Sequence, residues 1–211
     1  DGCISYCNSD DGWDLFAKSA TGPIGVITIR NCVSFGNGTL SNGVHYANGD
    51  MNGFKLGGSG VGTPHVVLNC LSFNNGATGF TDNNNPSGLT IMNATAWGNG
   101  KSAKKGNFLC YRASNKAVYV GLVSANAIDS DKFTGNMSDS IYYNTGKYYR
   151  LSGLLPTPVV SGDKKGTVVD NPSNVSGMFK NAVDFINLNG NVDKQLRNSD
   201  GTINMKGLYE T

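Results

Sequence analysis

Four charged side chains in the first third of this 211-residue chain have the types and spacing to do chemistry together. Asp10, Asp11 and Asp14 crowd three carboxylates into five residues. Such a group repels itself unless something positive sits among it. Oxygen donors at this density suit Ca2+, which accepts about six to eight of them in flexible geometry. There is no EF-hand spacing and no His or Cys cluster that would favour a softer metal. The competing reading is that Asp10 and Asp11 only end a turn after Asn8-Ser9. Lys55 is the fourth residue. An outward lysine is usually solvated, but this one stands in NGFKL (Asn52 to Leu56), a near copy of DGWDL (Asp11 to Leu15). If the two segments stack, Lys55 occupies the position of Asp14 one turn along. It also follows an unusual GDMNG loop and precedes Leu56-Gly57-Gly58, where a substrate or backbone can approach closely. A lysine is a base only when neutral. Bare carboxylates hold its proton on, and a nearby Ca2+ pushes it off, so metal and base are coupled.

That juxtaposition needs a repeat to create it, and the chain has one. GCISYCNS from Gly2, NCVSFGNG from Asn31, NCLSFNNG from Asn69 and NATAWGNG from Asn93 align without gaps. Cys3, Cys32, Cys70 and Ala94 form one column; Tyr6, Phe35, Phe73 and Trp97 a second; Asn8, Asn37, Asn75 and Asn99 a third. A second element follows each copy (GWDLF, GFKLG, GFTDN and, more loosely, GNFLC from Gly106), then an alternating apolar run such as His65-Val66-Val67-Leu68 or Val118-Tyr119-Val120-Gly121-Leu122. Copies begin about 29, 38 and 24 residues apart, a solenoid period whose irregularity lies in the connections, chiefly Thr39 to Met51. Side-chain periodicity is two, and no helical period occurs through residue 125. The expectation is a parallel β-helix of three short strands per coil, with coils about 4.8 Å apart. The cysteine, serine, alanine and aromatic columns are expected inside, and the stacked asparagines in tight left-handed turns.

Composition agrees. Glycine supplies 29 residues and charged residues only 15%, the profile of a turn-rich all-β chain. The length allows a single domain over 1–211, with regular coils over 1–125 and less regular coils with decorated loops over 126–211. Residues 174–211 read as a C-terminal segment packed over the side or end of the helix. The chain opens directly into a repeat element, so further N-terminal coils are expected in the parent protein. No membrane span or signal peptide is legible in the sequence.

Other chemistries find little support. The net charge of +2 and two short lysine pairs, Lys104-Lys105 and Lys164-Lys165, do not favour nucleic acid. Five cysteines leave at least one unpaired within the chain, and the inward column reads as buried thiols. A Cys3–Cys7 zinc pair lacks a second pair. His45 and His65 read as structural. Glycoside hydrolysis needs two separated carboxyl groups, and the one glutamate, Glu210, lies in the terminal segment.

CNSDDGWDLF, NGFKLGG, NCLSFNNGATGF and NATAWGNG together resemble the pectate lyases of polysaccharide lyase family nine over roughly residues 1 to 110. The resemblance implies a right-handed parallel β-helix and calcium-dependent β-elimination of polygalacturonate. It implies calcium ligation by Asp10, Asp11 and Asp14, with Lys55 as catalytic base. The family also draws an aspartate from the preceding coil, which would lie before Asp1. A secreted, monomeric enzyme acting on an acidic polysaccharide follows, with no nucleic acid or membrane partner. The alternatives are a lyase for another uronic-acid polymer, such as rhamnogalacturonan, and a non-catalytic β-helical carbohydrate-binding or structural fragment.

Overall fold

The structure is a computed structural model, and it describes residues 1–172 and 197–203. Each coil contributes three strands. The first coil holds β1 (Ile4–Tyr6), β2 (Trp13–Asp14) and β3 (Thr28–Arg30); the second β4 (Val33–Phe35), β5 (Phe54–Lys55) and β6 (Val66–Leu68). The third holds β7 (Leu71–Phe73), β8 (Phe80–Thr81) and β9 (Thr90–Met92); the fourth β10 (Thr95–Trp97), β11 (Phe108–Cys110) and β12 (Val118–Val120). The fifth holds β13 (Val123–Ala125), β14 (Lys132–Phe133) and β15 (Asn136–Ser138). Corresponding strands pair in parallel, giving the sheets β1-β4-β7-β10-β13, β2-β5-β8-β11-β14 and β3-β6-β9-β12-β15. The parallel register therefore runs past residue 125, through Ser138.

After the fifth coil the plan changes. β16 (Ile141–Asn144) adds in parallel to β13, but β17 (Lys147–Arg150) and β18 (Thr167–Val169) return antiparallel. Where less regular coils are expected, β16 and β17 form a hairpin. Thr145 and Gly146 both take positive φ, 46° and 85°, the two-residue turn whose twist matches antiparallel strands. Most of the C-terminal segment expected to pack on the helix lies outside the described residues. Within 197–203, Arg197 donates to the Gly2 carbonyl at 3.0 Å.

Stacking of like on like builds the interior. Ile29, Val67, Ile91, Tyr119 and Met137 form one column, all buried. Phe54, Phe80 and Phe108 form another, with parallel rings 4.6 and 5.2 Å apart. Cys32 and Cys70 are buried and Cys3 is exposed; all five thiols are free. His65 is buried, its Nδ1 accepting the Ile27 N–H, which fits a structural role.

Two sequence expectations change. The Tyr6-Phe35-Phe73 column does stack, at 5.0 and 4.6 Å, but not in the central cluster that holds Cys32, Cys70 and Phe54. Side chains alternate along a strand, and Ser34 and Ser72 in mid-strand share the inward side with Cys32 and Cys70. Phe35 and Phe73 must then lie on the opposite face, where they are nonetheless fully buried. The asparagine column also differs from expectation. Asn37, Asn75 and Asn99 are not left-handed; the left-handed bends fall at Asn31, Asn69 and Asn93 before each strand and at Cys7, Gly36, Asn74 and Gly98 after it. The ladder asparagines serve as bonding groups instead. Nδ2 of Asn8, Asn37, Asn75 and Asn99 donates to Oδ1 of the next rung at 2.8 to 2.9 Å, and the ladder ends on Asn107, a residue outside the aligned column.

Candidate active site

The site is assembled by the short strands β2 and β5, and the asparagine ladder sets their path. Ser5, Ser34 and Ser72 donate to the carbonyls of Gly12, Gly53 and Gly79. The chain passes so close to the ladder there that a Cβ on Gly12 would collide with Ser34 Oγ and Asn37 Nδ2, and one on Gly53 with Ser72 Oγ and Asn75 Nδ2. The glycine of the repeated Gly-aromatic pair is thus a steric requirement. The aromatic turns inward and the following residue turns out. The register pairs Asp14 with Lys55 and Lys55 with Thr81, as the repeat implies.

Lys55 is the centre of the site. Its side chain is 8% exposed, and Nζ lies 3.0 Å from Asp11 Oδ2, 2.9 Å from Asp50 Oδ2 and 3.4 Å from Asp14 Oδ2. The Phe16 ring lies alongside, 5.5 Å from Nζ to the centroid. Burial pulls the amine towards neutrality, but its close pairing with Asp50 and Asp11 and the charge of Asp14 outweigh it, so the proton is held more tightly than on a free lysine.

Asp11 is the most enclosed of the carboxylates, 1% exposed. Its Oδ1 accepts both the backbone N–H and Nδ2 of Asn52, at 2.7 and 2.9 Å. Asn52 is itself tied to the next coil by the Thr78 N–H at 3.2 Å. Asp11 Oδ2 is buried and makes no hydrogen bond; the Lys55 ammonium is its neighbour as an ion pair only. Burial raises the Asp11 pKa, against the opposing pull of Asn52 and Lys55.

The third participant was not singled out in the sequence. Asp50 belongs to the GDMNG loop, and its backbone N–H donates to Asp10 Oδ1. Gly49 allows this approach, because a Cβ there would strike the Ser9 carbonyl and Asp10. Asp10, Asp11 and Asp50 bring one carboxylate oxygen each within 4.8 Å of one another. Asp14 stands apart from this trio, beside Lys55, with Oδ1 accepting the Phe16 N–H at 2.9 Å. The legible signal for Asp50 was the long Thr39-to-Met51 connection, which ends beside the carboxylates.

The three converging carboxylates fit a hard divalent cation. The donors are all oxygen, one of them is a buried oxygen without a hydrogen bond, and its carboxylate is held in place by Asn52.

Comparison with known proteins decides the family. Residues 1–117 match the family described as "Pel9A-like, right handed beta helix region". The chain belongs to this family. Its coils are accordingly those of a right-handed parallel β-helix. This Pel9A-like chain is 37% identical over 205 residues to "Pectate lyase L" of Paenibacillus polymyxa (strain SC2), covering 97% of the chain and 39% of that protein. It is 52% identical over 100 residues to "Pectate lyase L" of Thermoclostridium stercorarium, covering 47% of the chain and 8% of that protein. The crystal structure of pectate lyase Pel9A superposes with a TM-score of 0.53 at 26% identity, covering 99% of the chain and 42% of that structure. The chain thus spans less than half the length of these relatives. No helix of the described residues is long and apolar enough to cross a membrane.

Proposed function

We propose that the site is that of a calcium-dependent pectate lyase, which cleaves polygalacturonate by β-elimination. The observation that carries this reading is a buried lysine amine within 3.4 Å of three carboxylates, two of which also belong to the trio able to share an ion. Asp10, Asp11 and Asp50 would hold the cation, with Asp14 at its margin beside Lys55. Bound there, calcium would neutralise a uronate carboxylate and stabilise negative charge developing next to C5.

Lys55 would take the C5 proton on Nζ. Its protonation follows from what Asp11 and Asp50 are doing. When they are free to pair with the amine, Lys55 keeps its proton. When they are engaged in ligation, two of its three counter-charges are taken up by the cation, whose own charge repels the ammonium, while the side chain stays buried, and both effects favour the neutral form. Asn52 acts as a positioning residue, because it fixes Asp11 Oδ1 and thereby aims Oδ2. Departure of the C4 oxygen after proton removal leaves an unsaturated sugar. A secreted enzyme with an acidic polysaccharide as its partner belongs to the same reading.

The test is incubation with polygalacturonate and Ca2+ at alkaline pH, following the ultraviolet absorbance of the unsaturated product. A signal that disappears with chelator and with Lys55→Ala is expected. Absence of product would reject the lyase, and product from rhamnogalacturonan alone would move the substrate.

A further inference from the structure

The outer column that contains Lys55 continues beyond the site. Lys55 pairs with Thr81, Thr81 with Leu109 and Leu109 with Lys132, so Lys132 projects from the same face three rungs further on, about 14 Å at the usual strand spacing. A cleft of about 270 Å³ follows this column, bounded by Asp50 and Asn52 at one end and by Lys132 at the other. Its cationic side is built around one ring. Arg112 lies over Tyr111 at 4.8 Å, and Lys132 over the same ring at 5.7 Å. Arg112 is also held from behind, since its backbone N–H and that of Ala113 donate to the buried Asp82 Oδ2, while its guanidinium stands 3.9 Å from Asp82 Oδ1. Lys105 adds a third cation, and Asp129 is the one carboxylate in the lining besides Asp50. Among the described residues, no ion pair engages Lys105 or Lys132.

We infer that Tyr111, Arg112 and Lys132 form a second anionic-sugar subsite, which grips the carboxylate of a uronate about three residues along the chain from the one at Lys55. This rests on the uronan reading of the Lys55 site. A pyranose with its glycosidic oxygen is comparable in length to one rung, so an extended polymer lying along the column presents about one sugar per coil. Thr81 and Leu109 floor the intervening positions, Tyr111 holds the two cations together over its ring, and Arg112 and Lys132 would converge on the carboxylate of the sugar at that rung. The subsite makes the chain selective for a run of free carboxylates on one side of the bond to be broken, beyond the single carboxylate needed at Lys55.

The measurement is calorimetric binding, with Ca2+ present, of hexagalacturonate, digalacturonate and fully methyl-esterified hexagalacturonate to the Lys55→Ala chain, with and without Lys132→Ala and Arg112→Ala. Each added substitution is expected to weaken hexagalacturonate about tenfold, the loss expected for one charge-assisted contact. Digalacturonate and the ester should be unaffected, and Lys132→Arg should restore most of the affinity. In the active chain Lys132→Ala should raise KM with kcat kept. Equal losses for the short and long ligands, or none, would overturn the subsite. Absence of lyase activity together with Lys132-dependent hexamer binding would reject the lyase and keep the subsite. Activity with unchanged hexamer binding would do the reverse.

Discussion

The inside and the outside of this solenoid use the same rung spacing in opposite ways. Inside, two of the columns repeat one residue type: amide on amide from Asn8 to Asn107, ring on ring from Phe54 to Phe108. Amides donate and accept at once, and apolar rings attract their copies, so identical residues stack at strand spacing without penalty. Outside, the column over the site changes at every rung, from Asp14 to Lys55 to Thr81 to Leu109 to Lys132. Like charges one rung apart repel, so a charged column has to alternate or dilute. Stability is written in repetition and chemistry in departures from it.

Breaking the outer column should cost the most in function and little in folding. Lys55→Ala is expected to lower lyase activity about a thousandfold, within the usual range for a general base, with the urea midpoint little changed when Ca2+ is present to neutralise Asp11 and Asp50, and lowered without it, because loss of the ammonium leaves those carboxylates unpaired. Ultraviolet product assays and urea denaturation on the same samples measure both. Breaking the inner column should do the reverse. Asn75→Leu orphans the Asn37 N–H, takes away one of the acceptors of Asn37 Nδ2 and removes the side-chain donor to Asn99, and at about 1–3 kcal/mol per unsatisfied group should lower folding stability by about 2 kcal/mol or more. The same denaturation experiment reads it.

Smaller changes sharpen the comparison. Asn52→Ala removes one of the two hydrogen bonds on Asp11 Oδ1, leaving the backbone N–H, and should weaken calcium binding by up to about tenfold by calorimetry, as loss of part of a ligand's own support commonly does. Asp50→Asn should weaken it more than Asp14→Asn, since Asp50 and not Asp14 converges with Asp10 and Asp11; the opposite order would return the site to the grouping legible in the sequence. Asp131 offers a carboxylate of the interior as a control. It is buried, and although it accepts the Phe108 and Tyr143 N–H groups, burial raises its pKa to about 6. The folded chain then binds this proton more readily than the unfolded one, so its contribution to stability falls as pH rises from about 4 to about 6. A carboxyl NMR titration midpoint near 6, with that pH slope lost in Asp131→Asn, is the expected result.

The repeat made much of this readable in advance. Columns of Cys, aromatic and Asn predicted parallel stacking, and the match of DGWDL to NGFKL predicted the pairing of Asp14 with Lys55 that the register displays. Reading failed where a position depends on more than its own repeat. The aromatic column Phe35-Phe73 looked internal because apolar residues usually are, yet Ser34 already occupies the inward side of its strand. Asp50 escaped notice because its loop has no counterpart in the other coils. The Ile141–Arg150 region broke the pattern because a Thr-Gly turn reversed the chain.

By itself the sequence determined the class of fold, its rung register and the identity of the central lysine, because period-two strands that stack on copies of themselves leave one consistent alignment. Only the tertiary structure decided which carboxylates converge. Asp10, Asp11 and Asp50 come together because Gly49 lets an unrepeated loop fold back against the previous coil, and no periodicity encodes the path of a loop that occurs once. The same holds for Arg112 and Lys132, which meet over one tyrosine from different coils.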